Sequence, residues 1–337
     1  MPGVAVLRAS RVAAPWLAVL LAAVSPARAH QPAPPATADL TCTAVPLDPG
    51  DPERQSVGRL TWRGGLEIAS DHPGFGGLSG LLVSADGSRL VAVSDTGRWW
   101  TAGLRYDAAG RLVGLADART AELRDTRGEA VAEKTWQDAE DLAELDDSSI
   151  LVSFEREHRI WRYAADGGPL SAVPSAWPTP PSLRDAPKNS GLEALTALDG
   201  GAVLALTEDH ENGAGKIGYL WRDGAWSSLA YQPAPGFKPT AASRLPGSGD
   251  VLVLERSLSL IGGFQARLTR VPAGDVRPGA ALRGEELARL SAPLTVDNFE
   301  ALAARRGPDG EVLIYLLSDD NFGLFQRTLL LMFALED

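Results

Sequence analysis

The sequence contains a single cysteine, Cys42, among its 337 residues. An internal disulfide is therefore excluded, and stability must come from a packed core, which a mature chain of about 300 residues is long enough to form. Concentrated basic stretches are also missing: the net charge is −11, the pI is near 5.0, and the few lysines are scattered. Because nucleic-acid binding needs a concentrated basic face, we expect no nucleic-acid partner.

The apolar run Val12–Val24 is too short to span a bilayer comfortably. It follows Arg8 and Arg11 and precedes Ala27-Arg28-Ala29, which together predict a signal peptide over residues 1–29 with cleavage after Ala29. A retained anchor is the alternative. We expect a soluble, monomeric, periplasmic or secreted protein with no stable membrane insertion after cleavage.

Two catalytic patterns are missing. No serine lies in a nucleophile-elbow context, so a serine hydrolase is not expected. The histidines His72, His158 and His210 lack the spacing of metal ligands. His158 is a candidate proton donor at the channel mouth described below, and a solvated histidine is the alternative reading.

Helical periodicity is absent after residue 57, and short apolar runs alternate with turn residues in five similar hairpin units. The units begin at residues spaced 61, 53, 47 and 60 apart, namely Ser79, Glu140, Glu193, Thr240 and Glu300. A period of about fifty residues predicts an all-β propeller of five or six four-stranded blades. A double-sheet sandwich is the rival.

The domain boundaries follow from this repeat. Residues 30–57, rich in proline and polar residues, are expected to be a linker, and residues 58–337 form one propeller domain. We expect Leu60–Ile68 to close the ring by pairing with the last blade.

Acidic residues recur at the two strand ends that share one face of such a disc. Glu140, Glu193 and Glu300 begin first strands. Further acids end the second strands, namely Asp95, Glu155, Glu208, Asp209, Glu255, Asp319 and Asp320. We therefore expect these carboxylates to surround one mouth of the channel, where they repel one another unless they are neutralised.

Two kinds of neutralising charge are available. Arg98, Arg156 and Arg256 stand shortly after these acids, and Lys238 is the one lysine expected near the mouth. The second kind of neutralising charge is a hard metal cation. Carboxylate and amide oxygens without thiolates suit Ca²⁺ or Mg²⁺. Cation and guanidinium together would make a phosphate site. The alternative is a set of structural ion pairs between blades.

Several motifs resemble the phytase-like family, described as having esterase-like activity. The resemblance extends over about residues 59–335. The motifs that carry it are Phe75–Gly80 with Val93–Asp95, Asp138–Leu142 with Ser153–Arg156, Gly191–Leu195 with Leu206–Glu208, and Asp297–Glu300 with Leu317–Phe322 and Gln326–Thr328. The family is named for its kinship with calcium-dependent β-propeller phytases. The resemblance implies that Asp95, Glu140, Glu155, Glu193, Glu208, Glu300, Asp319 and Asp320 could be metal ligands.

The resemblance also implies that Arg98, Arg156, Arg256 and Lys238 could bind the substrate. The shortage of lysine departs from the phytase pattern and puts phytate in doubt as the substrate. The leading hypothesis is a phosphoesterase or esterase acting on a small molecule with metal-activated water, which Glu193 would orient. A lactonase-type calcium propeller, for which Asn189, Asn298 and Asn321 offer amides, and a non-catalytic binding or scaffold propeller of the cell envelope are the alternatives.

Overall fold

The computed structural model describes residues 1, 3 and 31–336. The signal peptide expected over residues 1–29 and its cleavage site therefore lie, apart from residues 1 and 3, outside the described residues. None of the helices in the described part of the chain has the length and apolarity that crossing a membrane requires.

Residues 31–336 form five sheets, antiparallel except for one short strand in the third, and these sheets are the blades of a propeller. The segment before the first blade contains four strands: β1 (Ala36–Thr37), β2 (Thr41–Ala44), β3 (Ser56–Val57) and β4 (Leu60–Ala69). Blade one consists of β5 (Leu78–Val83), β6 (Arg89–Ser94), β7 (Arg98–Tyr106) and β8 (Leu112–Glu122). Blade two consists of β9 (Ala139–Glu144), β10 (Ile150–Phe154), β11 (Arg159–Tyr163) and β12 (Ser175–Trp177).

The remaining blades follow the same order. Blade three consists of β13 (Leu192–Ala197), β14 (Val203–Asn212), β15 (Gly215–Arg222) and β16 (Ala225–Tyr231), with β20 (Ala281–Leu282) parallel to β16. Blade four consists of β17 (Lys238–Arg244), β18 (Val251–Ser259), β19 (Gly263–Val271) and β21 (Glu285–Leu290). Blade five consists of β22 (Phe299–Arg306), β23 (Val312–Ser318), β24 (Thr328–Leu335) and β4.

Helical structure is limited to short connections. The helix α1 (Lys134–Gln137) links blades one and two, and single 3₁₀ turns cover Pro181–Asp185, Asp199–Gly201 and Ala273–Asp275.

The ring closes through an N-terminal strand. β4 pairs antiparallel with β24, from Leu60 opposite Leu335 to Ile68 opposite Thr328. This confirms that residues 60–68 join the last blade. The propeller class is confirmed as well, and the number of blades is five rather than six.

The segment expected as a linker takes part in the sheets. β1 pairs with β8 of blade one, while β2 and β3 pair with β4 of blade five. Leu47 is buried in the core between blades four and five, and Leu40 and Cys42 pack against the core between blades five and one. The ordered sheets therefore start before residue 58, because the β-forming run of residues 40–45 interrupts the proline-rich composition.

The hydrophobic core is divided into five clusters, one between each pair of neighbouring blades. The innermost strands β5, β9, β13, β17 and β22 contact one another in a closed ring. Each blade is consequently packed on both faces, and this fixes the relative positions of the strand ends that surround the channel.

Asp141 ties three blades together inside this ring. Its wholly buried carboxylate accepts hydrogen bonds from the amides of Leu142 and Leu195, at 2.8 Å each, and of Ala242 at 3.4 Å. The three donors belong to blades two, three and four. Without this acceptor, buried amide groups would be left without partners.

We therefore predict that Asp141→Ala lowers the free energy of unfolding by about 2–4 kcal/mol, since each unsatisfied buried donor costs about 1–3 kcal/mol. Denaturant unfolding measures this loss. The matched control is Asp146→Ala, which removes an exposed carboxylate in the turn that follows the same strand. Equal stability of the two variants would contradict a role of Asp141 in holding the blades together.

Candidate functional site

A β-bulge recurs at the start of the innermost strand in all five blades. The pairing of first and second strands shifts by one residue at this position in every blade. The extra residue is Ser79, Glu193, Thr240 or Glu300 in four blades and lies within Glu140–Asp141 in blade two. Because a bulge redirects side chains, this position decides what the channel mouth presents. The residues Ser79, Glu140, Glu193, Thr240 and Glu300 are called the inner ring below.

The two hydroxyls of the inner ring bond to the neighbouring blade. The Ser79 Oγ donates to the carbonyl of Ala139 at 2.5 Å, and the Thr240 Oγ1 donates to the carbonyl of Phe299 at 3.2 Å. The three glutamates of the inner ring are instead partly exposed at the mouth. Their carboxylates are the charged groups that this ring presents at the mouth.

A second set of side chains lies at the ends of the second strands. Each of these residues faces the residue two positions before the inner-ring residue of its blade. This outer ring consists of Asp95, Glu155, Glu208, Arg256 and Asp319. Four blades thus supply a carboxylate, and blade four supplies a guanidinium.

The expected position of Glu255 is therefore wrong. Lys238 pairs with Arg256, so Glu255 points to the other face of the sheet. There its fully buried carboxylate contacts Arg267 at 2.7 Å and accepts a hydrogen bond from the Tyr231 hydroxyl at 2.5 Å. Glu255 is an intramolecular ion-pair partner and does not face the mouth.

The carboxylates of the two rings perturb one another across the mouth. Burial raises the pKa of Glu140 well above its usual value, and Glu155, Asp138 and Glu300 raise it further. Burial also raises the pKa of Glu193, with further contributions from Glu140 and Glu155. The carboxylates of blades two, three and five are therefore close enough to repel one another, as the repeat predicts.

Two pairs of carboxyl groups at the mouth lie close enough to perturb each other's pKa. Glu193 is paired with Glu155, and Glu300 is paired with Asp319. Burial and the charge of Glu300 raise the pKa of Asp319 to about 9. A carboxyl with a raised pKa keeps its proton to higher pH than a free one, and a bound cation would favour loss of that proton.

Basic side chains neutralise one side of the mouth. Arg256 contacts Glu208 at 3.0 Å and Glu300 at 2.5 Å, and it also bonds to the amide oxygen of Asn298. Lys238 pairs with Glu208, at 3.4 Å, and with Asp209. Arg256 and Lys238, two of the four predicted basic residues, therefore lie among the acids, and the Asn298 amide contacts both Arg256 and Glu300.

The opposite side contains a lysine that the sequence analysis missed. The Lys134 ammonium, on α1, lies 2.8 Å from carboxylate oxygens of both Asp95 and Asp138, and Arg156 pairs with Asp138 as well. Lys238 is therefore not the one lysine near the mouth. Asp138 was also missing from the candidates, although it precedes Glu140 by two residues as Asn298 precedes Glu300.

The residues around blades one and two fit a divalent cation. Asp138, Glu140 and Glu155 each offer an oxygen, and these oxygens lie within 4.8 Å of one another. The Asp95 Oδ1 is buried and has no hydrogen-bond partner among the described residues. A donor set consisting of oxygen alone suits Ca²⁺ or Mg²⁺ rather than zinc.

A glycine-rich loop leaves room beside these carboxylates. Gly77 has a φ of 62°, and a Cβ there would stand 2.1 Å from the Asp95 Oδ1. A Cβ on Gly76 would stand 2.7 Å from an Asp320 oxygen. Asp320 holds this loop by accepting a hydrogen bond from the Gly77 amide at 3.1 Å and another from Thr328, also at 3.1 Å.

Two of the predicted site residues stand beside the rings. Arg98 donates to Thr120 at 3.2 Å and packs over Gly74. The His158 Nε2 donates a hydrogen bond to the Pro187 carbonyl at 3.1 Å, while its buried Nδ1 is unpaired among the described residues. His158 also lies against Gly191, whose amide donates to Glu155 at 2.6 Å. It is therefore near the Glu155–Glu193 pair.

A family model described as phytase-like, with esterase-like activity of phytase, matches residues 73–322. Among curated proteins, none matches this chain. Solved structures with similar folds include a protein described as a gluconolactonase (15% identity, 89% of this chain and 94% of that one, TM-score 0.43). Also similar is a luciferin-regenerating enzyme, with 12% identity over 78% of this chain and 95% of that one and a TM-score of 0.42. A virginiamycin B lyase from Staphylococcus aureus has 11% identity over 87% of this chain and 99% of that one, with a TM-score of 0.39. The propeller assignment itself rests on the sheet topology.

The raised pKa values predict how stability depends on pH. A carboxyl whose pKa is higher in the folded chain contributes stability that is complete below its unfolded pKa, about 4, and is lost as the pH rises through its folded value. Four groups at the mouth have such a raised pKa: Glu140, Glu193, Glu300 and Asp319. For Asp319 the raised pKa is about 9. We expect the Tm of the protein in chelator to fall between about pH 5 and pH 9.

The variant Asp319→Asn, which cannot ionise, should make this fall smaller. Thermal melting across the pH range provides the measurement. A Tm that stays constant or rises over the window would contradict the mutual repulsion of the mouth carboxylates.

Proposed function

This chain belongs to the phytase-like family, and we propose that it is an exported hydrolase of small esters that works with Ca²⁺ or Mg²⁺ at the channel mouth. Phosphate esters are the first substrate class in this proposal, and carboxylic esters are the second. The signal-peptide pattern of residues 1–29 supports export to the periplasm or the exterior.

The observation that carries the proposal is the excess of negative charge at one mouth. Eight carboxylates gather there: Asp95, Asp138, Glu140, Glu155, Glu193, Glu208, Glu300 and Asp319. Four basic side chains pair with some of them: Lys134, Arg156, Lys238 and Arg256. A structural ion-pair network would balance its charges more closely, so the excess favours a cation site.

Asp138, Glu140 and Glu155 would hold the cation, with Asp95 beside them. When bound, such a cation supplies Lewis-acid polarisation of an ester oxygen and lowers the pKa of a water molecule.

The neighbouring side chains would handle protons and charge. Glu193 lies beside Glu155 and, once ionised, can accept a proton from water as a general base. His158, next to the same pair, is the candidate proton donor to a leaving group, and because its neutral ring holds the proton on Nε2 toward Pro187, it must first take up a proton at Nδ1. Arg156 and Arg256 would stabilise negative charge on the substrate.

The charge of the mouth also supports a substrate with few charges. Lys134, Arg156, Lys238 and Arg256 already pair with carboxylates, so a highly phosphorylated substrate such as phytate would be repelled by the remaining acids. A monoester adds less charge, and the bound cation can compensate for it.

We predict that the protein hydrolyses phosphate or carboxylic esters only after Ca²⁺ or Mg²⁺ is returned to the chelator-treated chain. Glu193→Gln should lower kcat by about 10²-fold or more, because glutamine cannot accept the proton. Glu157→Gln, an exposed neutral substitution near the mouth, is the matched control.

The same assay separates the alternatives. Turnover of lactones alone would favour a lactonase, and no turnover of any ester, with the ion bound, would leave a binding or scaffold protein. Full activity in chelator would contradict metal dependence.

Lys134 provides a separate prediction about the cation. Its ammonium occupies the position between Asp95 and Asp138 that a cation would share. We expect Lys134→Met to tighten Ca²⁺ binding in calorimetry by about tenfold, as removal of a competing charge at this distance is worth about 1 kcal/mol or more. Lys188→Met removes the same charge from an exposed position and should have a smaller effect. Equal effects of both variants would show that only net charge matters.

A further inference from the structure

Two loops on the mouth side of the propeller expose large apolar side chains. In the hairpin tip of residues 257–265, which comprises the end of β18, the turn and the start of β19, Leu260 and Ile261 are fully exposed and Leu258 is 66% exposed. In the loop of residues 321–326, between β23 and β24, Leu324 and Phe325 are 96% and 97% exposed. These two segments are called the hairpin tip and the loop tip below.

The hairpin tip projects beyond the blade. The pairing of β18 with β17 ends at Arg256, and the pairing of β19 with β21 ends at Ala266, whereas β18 and β19 stay paired to Ser259 and Gly263. The two arms of the hairpin tip therefore pair only with each other, and no further strand lies along either of its edges. At about 3.3 Å per residue, the tip extends about 10 Å past the outer ring.

The loop tip is held firmly at its base. The Asn321 amide donates to Asp319 at 2.6 Å, and the Phe322 amide donates to Asp320 at 3.1 Å. The Phe322 ring also packs against the glycine pair at residues 76–77. Leu324 and Phe325 are consequently presented to solvent by an anchored loop, where water contact is unfavourable.

The composition of the tips indicates what covers them. Residues 257–265 (SLSLIGGFQ) and 321–326 (NFGLFQ) contain no ionisable side chain. A stable protein interface needs about 800 Å² on each partner, with a continuous apolar core and a polar rim. Two separate projections from different blades do not offer such a surface, but each can enter a fluid layer independently.

The charges near the tips indicate which kind of lipid surface they could contact. The positively charged residues that directly flank the tips are Arg256 and Arg327, and both are already paired with carboxylates: Arg256 with Glu208 and Glu300, and Arg327 with Glu67 and Asp297. No unpaired positive charge therefore stands at either tip to attract an anionic surface, and the net charge of −11 would repel one. We propose that the hairpin tip and the loop tip insert together into a lipid layer with zwitterionic headgroups, and that the channel mouth faces this layer. This inference goes beyond the proposed hydrolysis and stands without it, because lipid partitioning requires no turnover.

Partitioning of the full protein onto phosphatidylcholine vesicles, measured by co-sedimentation, tests the inference. We expect each double variant, Leu260→Ser with Ile261→Ser and Leu324→Ser with Phe325→Ser, to lower the partition coefficient by at least about tenfold, because it removes two apolar side chains from the lipid contact. The control, Val113→Ser with Val173→Ser, changes exposed apolar residues outside both tips and should stay within about twofold. Binding should not weaken in high salt.

Three results would overturn the inference. The first is no binding of the unaltered protein to phosphatidylcholine. The second is binding that requires anionic lipid and disappears in salt. The third is a dimer in light scattering that the tip variants convert to monomers, since the tips would then contact a second copy. Unchanged melting of both double variants, whose substitutions are exposed, excludes loss of folding as a cause.

Discussion

Mutual repulsion among carboxylates at one channel mouth is the interaction on which the account depends. The bulge at the start of each innermost strand places one side chain per blade at this mouth, and three of the five are glutamates. The end of each second strand adds another side chain, and four of these five are acids. Because the blades are packed on both faces, the rings cannot spread apart to relieve the repulsion.

The chain neutralises this charge unevenly. Arg256 serves Glu208 and Glu300, and Lys134 bridges Asp95 and Asp138. Near Glu140, Glu155 and Glu193 fewer cations are available, and the pKa values of all three carboxyls are raised. Protons can occupy such a site when no metal is present, so binding of a divalent cation there would be an exchange of one kind of positive charge for another.

Much of the fold could be predicted from the sequence, because the turn residues repeat in each blade and an acid begins the first strand in three of the five blades. The mouth was predicted from the same repeat, as Glu140, Glu193 and Glu300 show. Blade four was misaligned because a shift of one residue exchanges Glu255 for Arg256 at the mouth, and neighbouring strand residues face opposite sides. Lys134 could not be placed, since it reaches the mouth through a connection outside the repeat.

The most direct test of the account is calorimetric titration of Ca²⁺ at pH 7 in two buffers with different ionisation enthalpies. If carboxyls such as Asp319 hold protons in the metal-free mouth, ion binding releases them, and the measured enthalpy must differ between the buffers. We expect binding with proton release, and we expect this release to decrease in Asp319→Asn. Absence of binding, or binding with the same enthalpy in both buffers, would contradict it.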